Sequence, residues 1–526
     1  MKKKHFLWLL IILGLITFAV TVATKTINLS SLMGTYTPST VNRDNDKQEM
    51  VDQALRLEKT GTKFVYFSHQ GKPLLSFGGL SDFIFYAAQD AYDYKLWADW
   101  AAEHGINHVR AYPPMSWNYI ESFAQQNGGS LDNVLFPYEE VTPGSRQFDL
   151  TRFNDSYWQR FREQCEYLQS KGIIIHLLMI NGWQFRLNEV NWFGHFFNPV
   201  NNINSFSDIL RENRLKFYHS VADKETGLVE AQKAWFSKLV EMTADLDNVY
   251  YDLVHEIAEN HSNWSKVQRW INVMAKTVRD RYAELEPNKS IILGMDTGGL
   301  KYGRFSQRSW IFSRPYFDLL IYGKAHRVKN AINWRIQYKK PYIPQESWDD
   351  NKRKYTYRNP EHRVHTRKYM WKFMMAKCQQ IDLYMKSLDS KLIQGYEHNY
   401  DPNGWNDFEN DALILREFWN SLVDYPNLWF KGNIKSEIGL HKYVLSSNKE
   451  TVAYISSKSG KQGVNFDSQK LILENLALAN GSYKSDIIKP DTGVLETSIV
   501  TVKDGVVSFD LPSFTDDIAV HLYQES

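Results

Sequence analysis

From residue 62 to about residue 432, short apolar runs alternate with amphipathic stretches, and this alternation constrains the fold more than any other feature of the chain. WADWAAEHG (97–105) is helical and closes on Gly105, a helix-ending residue. INHVRAYPP (106–114) is strand-like and stops at paired prolines. YWQRFREQCEYLQSKG (157–172) is again a helix closed by glycine, and IIIHLLMI (173–180) is apolar everywhere but His176. AQKAWFSKLVEMTADL (231–246) precedes NVYYDLVHEI (248–257), and WSKVQRWINVMAKTVRDRYAEL (264–285) precedes SIILGM (290–295). FDLLIYGKAH (317–326), a helical stretch near 328–338, and PYIPQES (341–347) follow, and RKYMWKFMMAKCQQ (367–380) is the last clear helix of the series.

Near-continuous apolar strands separated by helices predict a parallel sheet buried on both faces. About eight such units make an α/β fold, a (β/α)8 TIM barrel enlarged by insertions. The insertions at 115–153 and 181–227 both follow the C-terminal end of a strand, the face on which such barrels build their sites. The series begins at TKFVYFSHQGKPLLSFGG (62–79), where two apolar runs flank the turn signal His69-Gln70-Gly71-Lys72. Its eighth strand is either IDLYMK (381–386) or KLIQGYEH (391–398). After residue 432 the pattern becomes short alternating runs (HKYVLSS, ETVAYISS, KLILEN, GVLETSIVTV, GVVSFDL, DIAVHLY) broken by Gly, Asn, Asp and Pro, which predicts an antiparallel β-sandwich.

At the other end, Lys2, Lys3 and Lys4 precede an apolar run from Phe6 to Ala23, the pattern of an export signal. The run suits both a cleaved signal peptide, with Thr21-Val22-Ala23 as a weak cleavage site, and an uncleaved membrane anchor. Either way the bulk of the chain is expected outside the cytoplasm. The expected organisation is a signal or anchor at 1–24, a linker at 25–60 running into a short helix from Lys47 to Leu57, the barrel at 61–432 and the sandwich at 433–526.

The 62 Lys+Arg balance 60 Asp+Glu, so no global field points to nucleic acid or a polyanion. The aromatic share is 14%, a surplus that suits stacking against sugar rings. Cys165 and Cys378 fall in amphipathic segments and read as buried free thiols.

Two strand-like runs end on a glutamate: NVYYDLVHEI leads into Glu256, and KPYIPQESW (340–348) into Glu346. A carboxylate at the end of a buried strand is costly unless function requires it. Glu256 falls on the fourth strand of the series and Glu346 on the seventh, which face each other across a barrel mouth. That placement suits an acid/base and nucleophile pair of the kind that cleaves glycosidic bonds.

The chain resembles the clan A glycoside hydrolases with cellulase-like barrels. GINHVRAYP (105–113) is similar to the clan's Gly-Phe-Asn-x-Val-Arg strand, and the resemblance implies that Arg110 contacts the nucleophile. NVYYDLVHE and KPYIPQESW match the strands that end on the two catalytic carboxylates, implying Glu256 as acid/base and Glu346 as nucleophile. FDLLIYGKAH is similar to the sixth strand, making Tyr322 and His326 candidates near the nucleophile. One departure stands out: where the clan has Asn before the acid/base, donating to the sugar 2-hydroxyl, this chain has His255. Histidine can donate the same hydrogen bond but titrates near neutrality. Glu259-Asn260 is a rival pair just downstream. Closer still is the subgroup that joins such a barrel to a C-terminal sandwich once labelled collagen-binding, whose Tyr…Pro-x-Thr-Gly phrase is similar to YKSDIIKPDTG (483–493).

Trp183, Trp192 and His195 form either a sugar-stacking platform or a loop-packing cluster, and Trp348 and Trp405 are further candidates for stacking on sugar. EHNYDPNGWNDFEN (397–410) has the Asp, Asn and Trp of a substrate loop or a calcium site; its spacing fits no EF-hand, and His362 and His365 lack a third ligand, so no metal or other cofactor is expected. The expectation is an exported, retaining glycoside hydrolase acting on a poly- or oligosaccharide. The alternative is a non-catalytic carbohydrate-binding protein on a degenerate barrel.

Overall fold

The computed structural model describes residues 54–60, 64–80, 84–86, 91–185, 192–257, 263–297, 305–322, 328–345, 360–383, 402–435, 441–458 and 463–524. Parallel strands at Ser76–Leu80, His108–Ala111, Ile174–Leu178, Val249–Asp252 and Leu293–Gly294 form one curled sheet, closed on its other side by Gln380–Leu383 against the first strand. Leu320–Tyr322 and Tyr342–Pro344 pair in parallel, and a bridge between Asp296 and Ile321 joins them to the fifth strand. With the intervening helices, this is the expected (β/α)8 barrel. Its eighth strand is the first of the two alternatives; 391–398 lies outside the described residues. Gly78 shows how tightly the first two strands meet, since a Cβ there would lie 1.7 Å from the carbonyl oxygen of His108.

The floor of the barrel corrects the expected linker. The helix expected to end at Leu57 is a strand at that point: Arg56–Thr60 pairs antiparallel with Phe64–His69. Period-two burial explains it, because Leu55 and Leu57 both pack on a cluster formed by Ile174, Tyr250, Ile292, Ile321 and Ile343 inside the barrel. The hairpin at Gln70-Gly71 does follow the sequence signal, with φ of 53° and 70° at its two turn residues. Gln379, just before the eighth strand, locks this sheet in place. It accepts from the Phe67 N–H at 2.7 Å and donates to the Phe67 and Leu74 carbonyls at 2.8 and 2.7 Å.

The insertion at 115–153 holds a helix (Trp117–Gln126) and a hairpin, Tyr138–Glu140 with Phe148–Phe153. The stretch read as a substrate loop at 397–410 is helical from Pro402, in a helix that runs to Asn420. Proline at the first helical turn and the apolar spacing of Leu415, Phe418 and Trp419, all buried, account for it.

Beyond this helix the chain is all β. A five-stranded antiparallel sheet orders His441–Ser446, Glu450–Ser456, Asp517–Tyr523, Gly481–Lys489 and Gly493–Val502. It faces a three-stranded sheet of Asn433–Lys435, Gln469–Glu474 and Val507–Leu511. Glu450–Ser456 is buried at every residue because both its faces are covered. Ala453 and Ile455 enter the sandwich core, while Val452 and Tyr454 join the barrel's cluster beside Trp371 and Phe418. The indole of Trp371 stacks on Tyr454 at 5.5 Å. Charge reinforces the seam. Arg367, on the helix Pro360–Met375, donates to Asp517 at 2.7 Å, Tyr454 donates to the same carboxylate at 2.9 Å, and Lys368 meets Asp516 at 3.0 Å. The phrase YKSDIIKPDTG turns out to be a strand and its turn, and the turn brings Asp491 to 3.8 Å from Arg367.

Candidate active site

Inside the barrel, polarity rises from floor to mouth. Above the aliphatic floor lie His108, Tyr250 and Gln380, with the Tyr250 hydroxyl donating to Gln380 and its ring stacked on His176 at 4.4 Å. One pleat higher, two residues further along the same strands, come Arg110, Asp252 and Asp382, all fully buried. Arg110 Nε meets Asp382 Oδ2 at 2.9 Å. Burying such a pair is costly unless additional bonds hold it. Burial pushes His108 down to about 3, and also holds His176 well below the usual histidine range, so both rings are neutral.

The fourth strand continues past Asp252 as a single bridge between His255 and Asn181. The His255 N–H donates to the Ile180 carbonyl at 2.9 Å, and the His255 carbonyl accepts from Gly182 N–H at 2.7 Å. Glu256 follows, half-buried, with a left-handed φ of 49°. A non-glycine residue held there carries about 1–3 kcal/mol of strain, of the sort that gathers at functional sites. Asp296, at the end of the fifth strand, holds this conformation. Its Oδ2 accepts from the Glu256 N–H at 3.1 Å and lies 3.3 Å from His255 Nδ1.

These contacts decide the charges. Burial alone would lower the His255 pKa, and so would Arg110, whose Nη1 is 3.5 Å away. The hydrogen bond and charge of Asp296, with the charge of Glu256, outweigh both and lift it to about 9, so the ring is an imidazolium at neutral pH. Asp252 moves up to about 7, first through burial and then through the nearby charge of Asp296. Asp252 accepts from the Asp296 N–H at 2.9 Å and from Gln345 Nε2 at 3.1 Å. The network therefore runs from the backbone of Glu256 to Gln345, the residue before Glu346.

No family model matches the sequence, and neither does any curated protein. Solved structures do match. A protein titled glycoside hydrolase aligns over 90% of this chain and 97% of its own length, at 13% identity and a TM-score of 0.52. A glycoside hydrolase family 5 protein from Bacteroides vulgatus aligns over 90% and 94%, also at 13% identity and 0.52. A candidate glycoside hydrolase from the same species covers 90% of this chain and 83% of its own length, at 14% identity and 0.56. The fold is that of glycoside hydrolase barrels.

On this glycoside hydrolase fold, Arg110, His255 and Glu256 converge at the C-terminal mouth. Tyr322 ends the sixth strand, 4% exposed, with the Arg308 guanidinium 4.1 Å above its ring and its carbonyl accepting from Gln345 N–H at 3.2 Å. Trp183 is 43% exposed and stands one residue from the contact between Gly182 and His255. His195 is no platform: it is fully buried, stacked on Trp192 at 4.9 Å and packed against Phe185, so this part of the insertion is a loop-packing cluster. Trp405 lies in the helix Pro402–Asn420, and nothing of its side chain is described. Glu346, His326 and Trp348 lie outside the described residues, as do Glu259 and Asn260. Among the described residues no cluster of His, Cys, Asp and Glu is arranged to hold a metal ion. The sequence reading missed Asp252, Asp296 and Asp382. The available signal was the same for each, a lone carboxylate inside or directly after an apolar strand.

Proposed function

We propose that the chain is an exported retaining glycoside hydrolase acting on a poly- or oligosaccharide. The observation that carries this reading is the charged network at the mouth of the barrel. A strained Glu256 has its backbone held by Asp296, beside an imidazolium and the buried Arg110–Asp382 pair. In the proposed cycle Glu346 attacks the anomeric carbon while Glu256 protonates the departing oxygen. A glycosyl ester forms as the glycosidic bond breaks, and Glu256 then takes a proton from the water that cleaves the ester. His255, charged, supplies the donor that the resembling clan obtains from asparagine. Export rests on the basic, apolar N-terminus. Among the described residues no helix is long and apolar enough to cross a membrane, and residues 1–53 lie outside them.

The test is a panel of plant-wall, bacterial and host glycans, with the anomer of the first product followed by NMR. Retention of configuration is expected. Inversion would remove Glu346 as nucleophile, and binding without cleavage across the panel would favour a carbohydrate-binding protein.

Gly182 supplies a second check. A Cβ there would lie 2.7 Å from the Glu256 carbonyl oxygen and 2.8 Å from that of His255. Gly182→Ala must therefore push the strand end aside. A displacement of about 1 Å at a catalytic group costs up to roughly 100-fold. Gly182→Ala is expected to lower kcat by roughly 10- to 100-fold with an unchanged circular dichroism spectrum. A wild-type kcat would mean that Glu256 is not the group being positioned.

A further inference from the structure

One carboxylate oxygen, Asp296 Oδ2, serves two consecutive residues at the end of the fourth strand. It accepts from the Glu256 backbone N–H at 3.1 Å and faces His255 Nδ1 at 3.3 Å. Asp296 is itself fully buried and fixed from below, its N–H donating to Asp252 at 2.9 Å. A bridge to Ile321 ties the same residue to the sixth strand. The N–H of the left-handed Glu256 is therefore held by a side chain from the neighbouring strand. We propose that Asp296 is a positioning residue that aims the Glu256 carboxyl at the leaving group and pairs with the adjacent His255 ring. This inference rests on the reading of Glu256 as the acid/base.

The two halves of the role separate chemically. Aiming needs an acceptor oxygen at position 296, whereas holding the proton on His255 needs a negative charge there. Asp296→Ala removes both, and Asp296→Asn keeps the oxygen but not the charge. The groups that face His255 determine the sign of the second effect. Arg110 on the second strand opposes a charged ring and His176 on the third, being neutral, adds no charge, while Asp252 and Glu256 on the fourth strand favour it, as Asp296 does from the fifth. Asp382, on the eighth strand, is paired with Arg110. Without Asp296 the balance tips toward neutral, and the ring must lose its proton at lower pH.

The experiment uses the full chain and compares substrates by leaving group. With Asp296→Ala, cleavage of an oligosaccharide that releases a poorly acidic sugar hydroxyl is expected to fall roughly 10- to 100-fold in kcat. A 2,4-dinitrophenyl glycoside, whose leaving group departs without a proton, is expected to keep most of its rate. Asp296→Asn is expected to restore the oligosaccharide rate to within about threefold of wild type. Its His255 signal, followed by imidazole ¹⁵N NMR and assigned with His255→Asn, is expected to titrate at least one pH unit below the wild-type midpoint. Equal losses on both substrates would make Asp296 merely structural, and no loss in either variant would overturn the aiming role. An unchanged His255 midpoint in Asp296→Asn would overturn the charge role. A wild type that cleaves no glycan defeats the hydrolase reading and the aiming role with it; the NMR titration still decides the charge role.

Discussion

Glu256→Gln is expected to lower turnover of an unactivated oligosaccharide by about 10²- to 10⁴-fold, the contribution of a positioned general acid. The amide keeps the size and burial of the carboxyl, so thermal unfolding is expected to stay where it was. Dinitrophenyl glycosides separate the steps. Their first step needs no acid and should survive, so that glycosyl-enzyme accumulates because water is no longer activated. Glu346→Gln should instead abolish turnover of both substrates, since no covalent intermediate forms whatever the leaving group. The rival acid/base is tested in the same assay: Glu259→Gln is expected to leave kcat unchanged. A wild-type rate for Glu346→Gln on a responsive glycan would falsify the nucleophile assignment, whatever the fold.

The second large effect lies at the seam between barrel and sandwich. Arg367→Ala takes its paired guanidinium from the carboxylate of Asp517, which is 2% exposed and keeps a hydroxyl donor from Tyr454 at 2.9 Å and the more distant charge of Lys368. Leaving one partner of a buried pair uncompensated costs about 3–5 kcal/mol. Urea unfolding should show it as a lower midpoint. Replacing both partners by apolar residues (Arg367→Met with Asp517→Leu) is expected to recover most of the loss, because neither charge then has to be desolvated. If Arg367→Ala unfolds within about 0.5 kcal/mol of wild type, the seam is held by apolar contacts such as Trp371 on Tyr454, and the charges are incidental to it.

The barrel was legible because its strands are buried on both faces and so read as unbroken apolar runs, each followed by a helix with a clear stop. Arg110, His255 and Glu256 were legible for the opposite reason, as polar residues that such a run does not tolerate without cause. Asp252 and Asp296 carried the same signal and were passed over. Their meaning depends on which strands are neighbours, and only the closed sheet sets the end of the fifth strand beside the end of the fourth. The strand at Arg56–Thr60 was hidden in a polar segment, since its one apolar residue is Leu57, with Leu55 just before it, and its partner surface is the barrel floor. His195 was ambiguous in sequence because a buried ring and a sugar-facing ring share the same aromatic neighbours. Burial settles that choice, and sequence does not encode it locally.

The lock formed by Gln379 on the Phe67 backbone bears on how the molecule is made. The two residues are 312 positions apart, and the first barrel strand likewise pairs with the last. At about 5–20 residues per second of synthesis, roughly 15–60 s pass between their appearances. Throughout that interval the first strand presents an open edge, which makes the nascent chain a candidate for misassociation. Closure comes late, between the two helices on which the sandwich docks, Pro360–Met375 and Pro402–Asn420. A truncated chain ending before residue 379 should therefore be far more aggregation-prone than its apolar content alone would suggest.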